Sequence, residues 1–178
     1  RKGLANLAWH RQGPADNAGG VLCEDADLEA TQQRLADCMC RLFDNDHLPV
    51  VLDGGHEVAF GSWSGLAQHF AGRGDTPRIG IVNFDAHFDL RDFSQTRSSG
   101  TPFSQIAEQC AARGWPFAYA CIGVSRASNT QALFNRAAEL DVLVREDHEI
   151  RESTLEVIGD ELQAFAQGWD ARCLTIES

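Results

Sequence analysis

Short apolar runs of β-strand character alternate with longer stretches of helical periodicity along the chain. Most of the strand candidates are continuously apolar, as expected when both faces of a sheet are covered; they span residues 20–23, 48–52, 78–84, 117–124, 141–145 and 172–176. The helix candidates between them span residues 27–43, 57–70, 102–113, 129–140 and 153–166. This order is typical of an α/β fold in which right-handed crossovers build a parallel sheet.

The composition is that of an ordinary globular protein and excludes several classes of function. A length of 178 residues, with 43% hydrophobic and 23% charged residues, fits a single domain over residues 1–178. A net charge of −11 argues against a nucleic-acid partner, because neutralising phosphates requires clustered Lys and Arg. The longest apolar run, residues 117–124, is too short to cross a bilayer, so no membrane partner is expected. A homo-oligomer is left open.

The six cysteines show neither a CxxC motif nor the spacing of a disulfide framework. Most of them lie in apolar stretches, which predicts buried free thiols. Free thiols are typical of a reducing compartment, and a cytoplasmic location is therefore expected.

Polar residues of chemical interest collect directly after the strand candidates. In an open parallel sheet, ligands bind outside the carboxyl ends of the strands. The corresponding windows are residues 53–57, 85–91, 125–129, 146–148 and 177–178. Residues 85–101 also form an unusually long connection, and long connections are often functional. The sequence therefore predicts a site at this edge of the sheet.

The sharpest pattern is the pentapeptide DAHFD at residues 85–89. In an extended segment alternate residues point the same way, which places Asp85, His87 and Asp89 on one side. Oxygen ligands with an imidazole and no thiolate favour Mn²⁺, Fe²⁺ or Zn²⁺. The alternative interpretation is a solvated loop with a hydrogen-bonded histidine.

A second pattern, GGHE at residues 54–57, follows the apolar run LPVVL. The two glycines permit a tight turn, and His56 then opens a helix, where it is expected to supply a further metal ligand. Hydrolytic sites often use two ions about 3.5–4 Å apart, so a second ion needs more carboxylates. Glu177 stands after the strand candidate at residues 172–176 and is a candidate for one of them.

These motifs resemble those of the ureohydrolase family, which includes arginases and agmatinases. GGHE, NFDAHFD and the apolar LTI run carry the resemblance. The segments ANLAW, FDLR, SSGTPF and GVSRASNTQALF are most similar to the formimidoylglutamase branch of that family. The resemblance covers essentially the whole chain and implies a three-layer α/β/α sandwich on a parallel sheet.

The resemblance also implies a ligand set. Family members typically hold two Mn²⁺ ions. His56 and Asp89 would bind one ion, His87 would bind the other, and Asp85 would bridge both. Asp89 would in addition act as general base. Glu177 occupies the first position of the family's DxD motif, and the second position of that motif lies beyond Ser178.

Several departures from the family pattern are visible. Asp53 replaces a glycine of the usual turn, Glu177 replaces an aspartate, and Phe103 stands where arginases carry a proton-shuttling histidine. The chain starts at Arg1 and stops at Ser178 directly after a strand-like run, and both ends are expected to be truncated.

Three further residues are expected to bind substrate. Arg91, Arg126 and Asn129 follow strand candidates beside the predicted metal ligands. Arginine recognises carboxylates with two parallel hydrogen bonds, which suits a glutamate-derived substrate. The alternative is a structural ion pair of an arginine with Asp92 or Glu146. Asn129 is also expected to cap the fourth helix.

The resemblance implies a manganese-dependent hydrolase that converts N-formimidoyl-L-glutamate and water to L-glutamate and formamide, as in histidine degradation. Two alternatives remain at this point. One is an arginase- or agmatinase-type enzyme that cleaves a guanidino group. The other is a degenerate homologue that binds metal without catalysis.

Overall fold

The computed structural model describes residues 3–9, 16–23, 27–52, 54–74 and 76–177. Asp53 and Ser178, singled out above, lie outside these residues. The chain divides into two compact units: Arg1–Thr76 with Phe93–Pro102, and Pro77–Asp92 with Phe103–Ser178. The expectation of one domain over residues 1–178 stays a prediction.

The first unit contains a three-stranded sheet in the order β2-β1-β3, whose strands are β1 (Gly3–Trp9), β2 (Asp16–Leu22) and β3 (Pro49–Leu52). Both neighbours of β1 pair with it antiparallel. Strands β2 and β3 therefore run parallel to each other with β1 between them. The alternation of strand and helix predicts the common direction of β2 and β3 but not the strand inserted between them.

Two helices complete the first unit, α1 (Leu28–Asp44) and α2 (Val58–Gly72). Helix α1 begins where the side chain of Asp27 accepts a hydrogen bond from the backbone N–H of Ala30, at 3.0 Å, a standard N-cap. Leu35 and Met39 of α1 are buried and form the centre of an apolar cluster. Its partly buried neighbours come from α1 itself, β2, β3 and α2, namely Cys38, Phe43, Val21, Val51 and Val58.

Glycines allow α2 to approach α1 closely. Gly61 and Gly65 lie four residues apart and so share one face of α2. A Cβ at Gly61 would lie 2.9 Å from Cδ2 of Leu35. A Cβ at Gly65 would overlap the Cβ of Met39 and lie 2.5 Å from the carbonyl oxygen of Ala36. The separation of the two helices therefore requires residues without a side chain at these positions.

The second unit contains a parallel four-stranded sheet in the order β6-β5-β4-β7, formed by β4 (Ile79–Phe84), β5 (Ala118–Val124), β6 (Leu143–Glu146) and β7 (Ala171–Ile176). Its helices are α3 (Pro102–Arg113), α4 (Gln131–Glu139) and α5 (Leu155–Ala166). The crossovers through α3 and α4 step in one direction, whereas the crossover through α5 returns past β5 and β4. Because such crossovers are right-handed, α5 covers the opposite face, which gives this unit three layers.

The parallel sheet and the α/β class are confirmed. The helix predictions agree with α1 to α5 to within two residues at each end. One local prediction is wrong: Asn129 does not cap α4, because Thr130 occupies the N-cap position and the side chain of Asn129 is engaged elsewhere.

All six cysteines are free, as predicted. The prediction that most of them are buried is wrong, because only Cys110 and Cys121 are buried and Cys23, Cys38, Cys40 and Cys173 are partly exposed. In the described part of the chain, no helix combines the length and apolar character that crossing a membrane requires.

The packing of α1 against α2 predicts an asymmetry between two glycines of the same helix. We expect Gly65→Ala to lower the free energy of unfolding by about 1–3 kcal/mol. The added methyl group would meet the backbone of α1, and its position is fixed by the backbone of α2, so it cannot rotate away. Gly72→Ala is the matched control, since a Cβ there has nothing within 4 Å. Urea denaturation of both variants measures the difference, and equal stabilities would contradict the packing described.

Candidate metal centre

The backbone of the second unit places two acidic residues at the same edge of its sheet. Phe84 of β4 is paired with Ile176 of β7, so the residues that follow, Asp85 and Glu177, leave the sheet side by side. The N–H of Glu177 donates to the carbonyl oxygen of Phe84 at 3.1 Å, and the N–H of Asp85 donates to that of Ile122 in β5 at 3.0 Å. Both residues therefore continue the hydrogen-bond ladder.

Three carboxylates converge at this edge. One side-chain oxygen from each of Asp85, Asp89 and Glu177 lies within 4.8 Å of the others. Asp85 and Asp89 are buried, at 6% and 8% exposure, and Glu177 is exposed. Carboxylates held this close repel one another unless a cation lies between them, and oxygen ligands suit Mn²⁺, Mg²⁺ or Ca²⁺. This donor set fits a divalent cation.

The conformation of Asp89 is unusual and departs from the extended segment assumed for residues 85–89. Its φ of +48° lies in the left-handed region, which is costly for a residue other than glycine. The N–H of Phe103 donates to the carbonyl oxygen of Asp89 at 3.3 Å, which helps to hold this turn. The turn allows the carboxylate of Asp89 to return toward that of Asp85.

His87 lies against Asp85. Its backbone N–H donates to Oδ1 of Asp85 at 2.9 Å, and its Nδ1 lies 3.3 Å from the same oxygen. The side chain is about half exposed. These contacts fix one oxygen of Asp85 and leave the rest of the imidazole accessible. Metal ligation by His87 stays a prediction.

His56 belongs to the first unit, where it is buried immediately before α2. Gly54 has a φ of +95°, so the predicted tight turn does require a glycine at this position. The carbonyl oxygen of His56 accepts from the N–H of Ala59 at 3.0 Å, which joins it to the first turn of the helix. Metal ligation by His56 also stays a prediction.

The side chain of Asn129 holds the DAHFD segment from outside the sheet. Its Oδ1 accepts from the backbone N–H of Phe88 at 3.1 Å, and its Nδ2 donates to the carbonyl oxygens of Ala86 and Ser125, each at 2.8 Å. These bonds explain why Asn129 does not cap α4. They favour a positioning role over the predicted contact with substrate, which stays untested.

Arg126 forms an ion pair with Glu146, and its guanidinium group lies 4.9 Å from the centre of the Phe134 ring. The Glu146 side chain is largely buried, whereas that of Arg126 is 66% exposed. The ion pair with Glu146, which was the alternative to substrate binding, is thus present. The outer side of the guanidinium group faces solvent. Arg91 is exposed and forms no ion pair with a described residue. Substrate binding by either arginine stays a prediction.

Sequence reasoning missed the residues beneath the DAHFD segment. Cys121 of β5 donates through Sγ to the carbonyl oxygen of His87 at 3.4 Å. Burial raises the pKa of Cys121 to about 12 and that of Tyr119 well above its ordinary value, so both stay protonated donors. Gly123 has a φ of +101° beside the backbone of Asp85 and coincides with an irregularity of β5.

Comparison with known proteins decides the family. The sequence matches the profile of the arginase family over residues 3–176. The chain belongs to the arginase family. The ureohydrolase resemblance of its motifs is thereby confirmed.

Curated relatives of this arginase-family chain are formimidoylglutamases. It is 55% identical over 177 residues to the formimidoylglutamase of Aeromonas hydrophila, an alignment that covers 99% of this chain and 55% of that protein. Identity to the formimidoylglutamase of Aeromonas salmonicida is 51%, with the same coverage. The chain spans about half the length of these curated relatives.

Solved structures of the family share the fold. The formimidoylglutamase of Bacillus subtilis superposes with a TM-score of 0.71 at 21% identity, covering 86% of this chain and 46% of that one. The Trypanosoma cruzi formiminoglutamase, whose crystal structure is described as containing Mn²⁺, superposes with a TM-score of 0.67 at 19% identity, covering 83% and 48%.

The carboxylate cluster predicts a metal dependence that one substitution tests. We expect Asp85→Asn to weaken Mn²⁺ binding by more than the 10- to 100-fold that loss of an outer partner of a metal ligand costs. The physical reason is the removal of the most buried charge of the cluster. The control is Asp160→Asn, which removes an exposed carboxylate from α5. Calorimetric titration with Mn²⁺ measures both, and equal affinities would show that Asp85 is not a ligand.

Proposed function

We propose that this arginase-family protein hydrolyses N-formimidoyl-L-glutamate to L-glutamate and formamide. Support comes from its 55% identity to a formimidoylglutamase over 99% of the chain. The observation that carries the proposal is the carboxylate cluster of Asp85, Asp89 and Glu177 at the carboxyl ends of β4 and β7. A glutamate-derived substrate is small and soluble, which agrees with a site at a sheet edge.

In this proposal two Mn²⁺ ions would occupy the centre. Asp85, Asp89, His56 and His87 would hold them, and Glu177 is a further candidate. When bound, the ions would lower the pKa of a coordinated water so that hydroxide is available near neutral pH. Binding requires deprotonated ligands, so we infer that affinity falls as the pH is lowered through the imidazole and carboxyl ranges.

The reaction needs one bond to form and one to break. The oxygen of water bonds to the formimidoyl carbon, and the bond from that carbon to the glutamate nitrogen breaks. Of the two water protons, one ends on the glutamate nitrogen and the other on the imino nitrogen, which becomes the amide nitrogen of formamide. Asp89 would accept the proton of the attacking water as general base. Its burial and its hydrogen-bonded left-handed turn keep its carboxylate fixed for this task.

The far end of the substrate carries two carboxylates, for which Arg91 and Arg126 are the proposed receptors. Both residues follow strands of the same parallel sheet, β4 and β5. The amide of Asn129 is already bonded to backbone, so recognition in this proposal rests on the two arginines. A cytoplasmic location would suit an enzyme with six free cysteines.

A panel of substrates tests the proposed reaction. The protein is purified from its natural source and loaded with Mn²⁺. It is then incubated separately with N-formimidoyl-L-glutamate, L-arginine and agmatine, and the products are followed by NMR. We expect formamide from the first compound and no urea from the other two. Urea release would establish a guanidino hydrolase. Stoichiometric Mn²⁺ binding without any turnover would establish a degenerate homologue.

The proposed role of Arg126 predicts a loss confined to substrate recognition. A charge-assisted hydrogen bond contributes roughly 1.5–3 kcal/mol, so we expect Arg126→Ala to lower kcat/KM about 10- to 100-fold while metal content stays unchanged. Arg126→Lys should recover part of the loss, since an ammonium group cannot form two parallel bonds.

The matched control is Arg136→Ala, which removes an exposed arginine of α4 that pairs with Glu139. Steady-state kinetics on the three variants decide the matter. Unchanged kinetics in Arg126→Ala would assign that arginine to its ion pair with Glu146 and transfer the proposed role to Arg91.

A further inference from the structure

A continuous line of side-chain hydrogen bonds, two of them buried and the one from Thr175 partly buried, crosses the second unit beneath the DAHFD segment. Oγ1 of Thr175 donates to Oδ1 of Asn83 at 2.8 Å, and Nδ2 of Asn83 donates to the phenolic oxygen of Tyr119 at 3.1 Å. The hydroxyl of Tyr119 then donates to the carbonyl oxygen of Phe88 at 3.1 Å. The line therefore starts on β7, passes through β4 and β5, and ends on the segment that carries Asp85 and Asp89.

Each bond in this line fixes the direction of the next. An amide has one accepting and one donating end, so the bond from Thr175 forces the donating end of Asn83 toward Tyr119. Nδ2 of Asn83 also lies 3.4 Å from Oδ2 of Asp85, the oxygen that His87 does not contact. With its acceptor capacity engaged by Asn83, the hydroxyl of Tyr119 is directed at Phe88.

Burial makes these bonds consequential. Asn83 is fully buried and Tyr119 is 1% exposed. The ring of Tyr119 stacks on that of Phe103 with a centroid separation of 4.3 Å, and Phe103 in turn binds the carbonyl oxygen of Asp89 through its backbone N–H. Leaving a polar group unsatisfied at such a buried site is costly, so this arrangement is strongly preferred over its alternatives.

We propose that the Thr175–Asn83–Tyr119 line is a positioning device for the metal centre, which sets the side chain of Asp85 and the backbone that carries Asp89. None of its three residues belongs to the carboxylate cluster of Asp85, Asp89 and Glu177. They couple the end of β7, where Glu177 stands two residues after Thr175, to the segment that supplies the other two carboxylates. The inference rests on the metal centre of the proposed function and is independent of which substrate is hydrolysed.

Two conservative substitutions interrupt the line without changing the shape of the core. Tyr119→Phe removes the hydroxyl and keeps the ring on Phe103, and Thr175→Val removes the bond that orients the amide. We expect Tyr119→Phe to weaken Mn²⁺ binding 10- to 100-fold, the range found for partners that orient metal ligands. Thr175→Val should weaken it in the same direction.

Because both substitutions act through Asn83, the double variant should lose less affinity than the product of the two single losses. The visible absorption of bound Co²⁺ reports ligand geometry and should shift in Tyr119→Phe. The control is Ile158→Ala, which lowers stability at a buried position of α5 outside the line and should leave affinity and spectrum unchanged. Thermal unfolding of the metal-free variants shows that each is folded.

The proposal would be overturned if the Mn²⁺ affinity of each single variant were within twofold of that of the parent protein. It would also be overturned if the loss of affinity in the double variant equalled the product of the two single losses. A parent protein that binds neither Mn²⁺ nor Co²⁺ would overturn it together with the metal centre. A parent that binds metal but releases urea from arginine would contradict the proposed substrate alone.

Discussion

The parallel pairing of β4 with β7 determines where the acidic residues of this protein meet. It joins segments that are far apart in the sequence, as the bond between Thr175 and Asn83, 92 positions apart, illustrates. Two of the assembled carboxylates, Asp85 and Asp89, are buried within 4.8 Å of each other. At an effective dielectric constant of about 20, two unit charges at that separation repel by about 3.5 kcal/mol. A divalent cation converts this repulsion into attraction, which links the integrity of the sheet edge to metal binding.

The sequence is most informative where chemistry and local structure coincide. The DAHFD segment follows a largely apolar strand, so its position at the edge of a parallel sheet could be predicted without knowing any partner strand. The same reasoning predicted the glycine turn before His56, because a left-handed φ at Gly54 is a local requirement. The alternation of strands and helices predicted the class of fold because it, too, can be recognised from local sequence patterns.

Features that depend on distant partners could not be predicted in this way. Asn129 is of a residue type that commonly caps helices and stands just before α4, but its amide binds the backbone of Ala86 and Phe88, about 40 residues earlier in the chain. The role of Asn83 depends on the register of β4 against both β5 and β7, which no local pattern specifies. Strand β1 was missed because its insertion between β2 and β3 is likewise a matter of pairing rather than of periodicity.

The crossover through α5, which returns past β5 and β4, also bears on the order in which the strands pair during folding. Strands β4, β5 and β6 are neighbours in both sequence and space, so their pairings close short loops, whereas β7 must pair with β4 across a much longer one. Long-range pairings are the slow events of folding. On this ground we expect β4 to pair with β5 before Thr175 and Glu177 join the sheet. The three carboxylates would accordingly come together only when β7 docks, the step that completes this sheet.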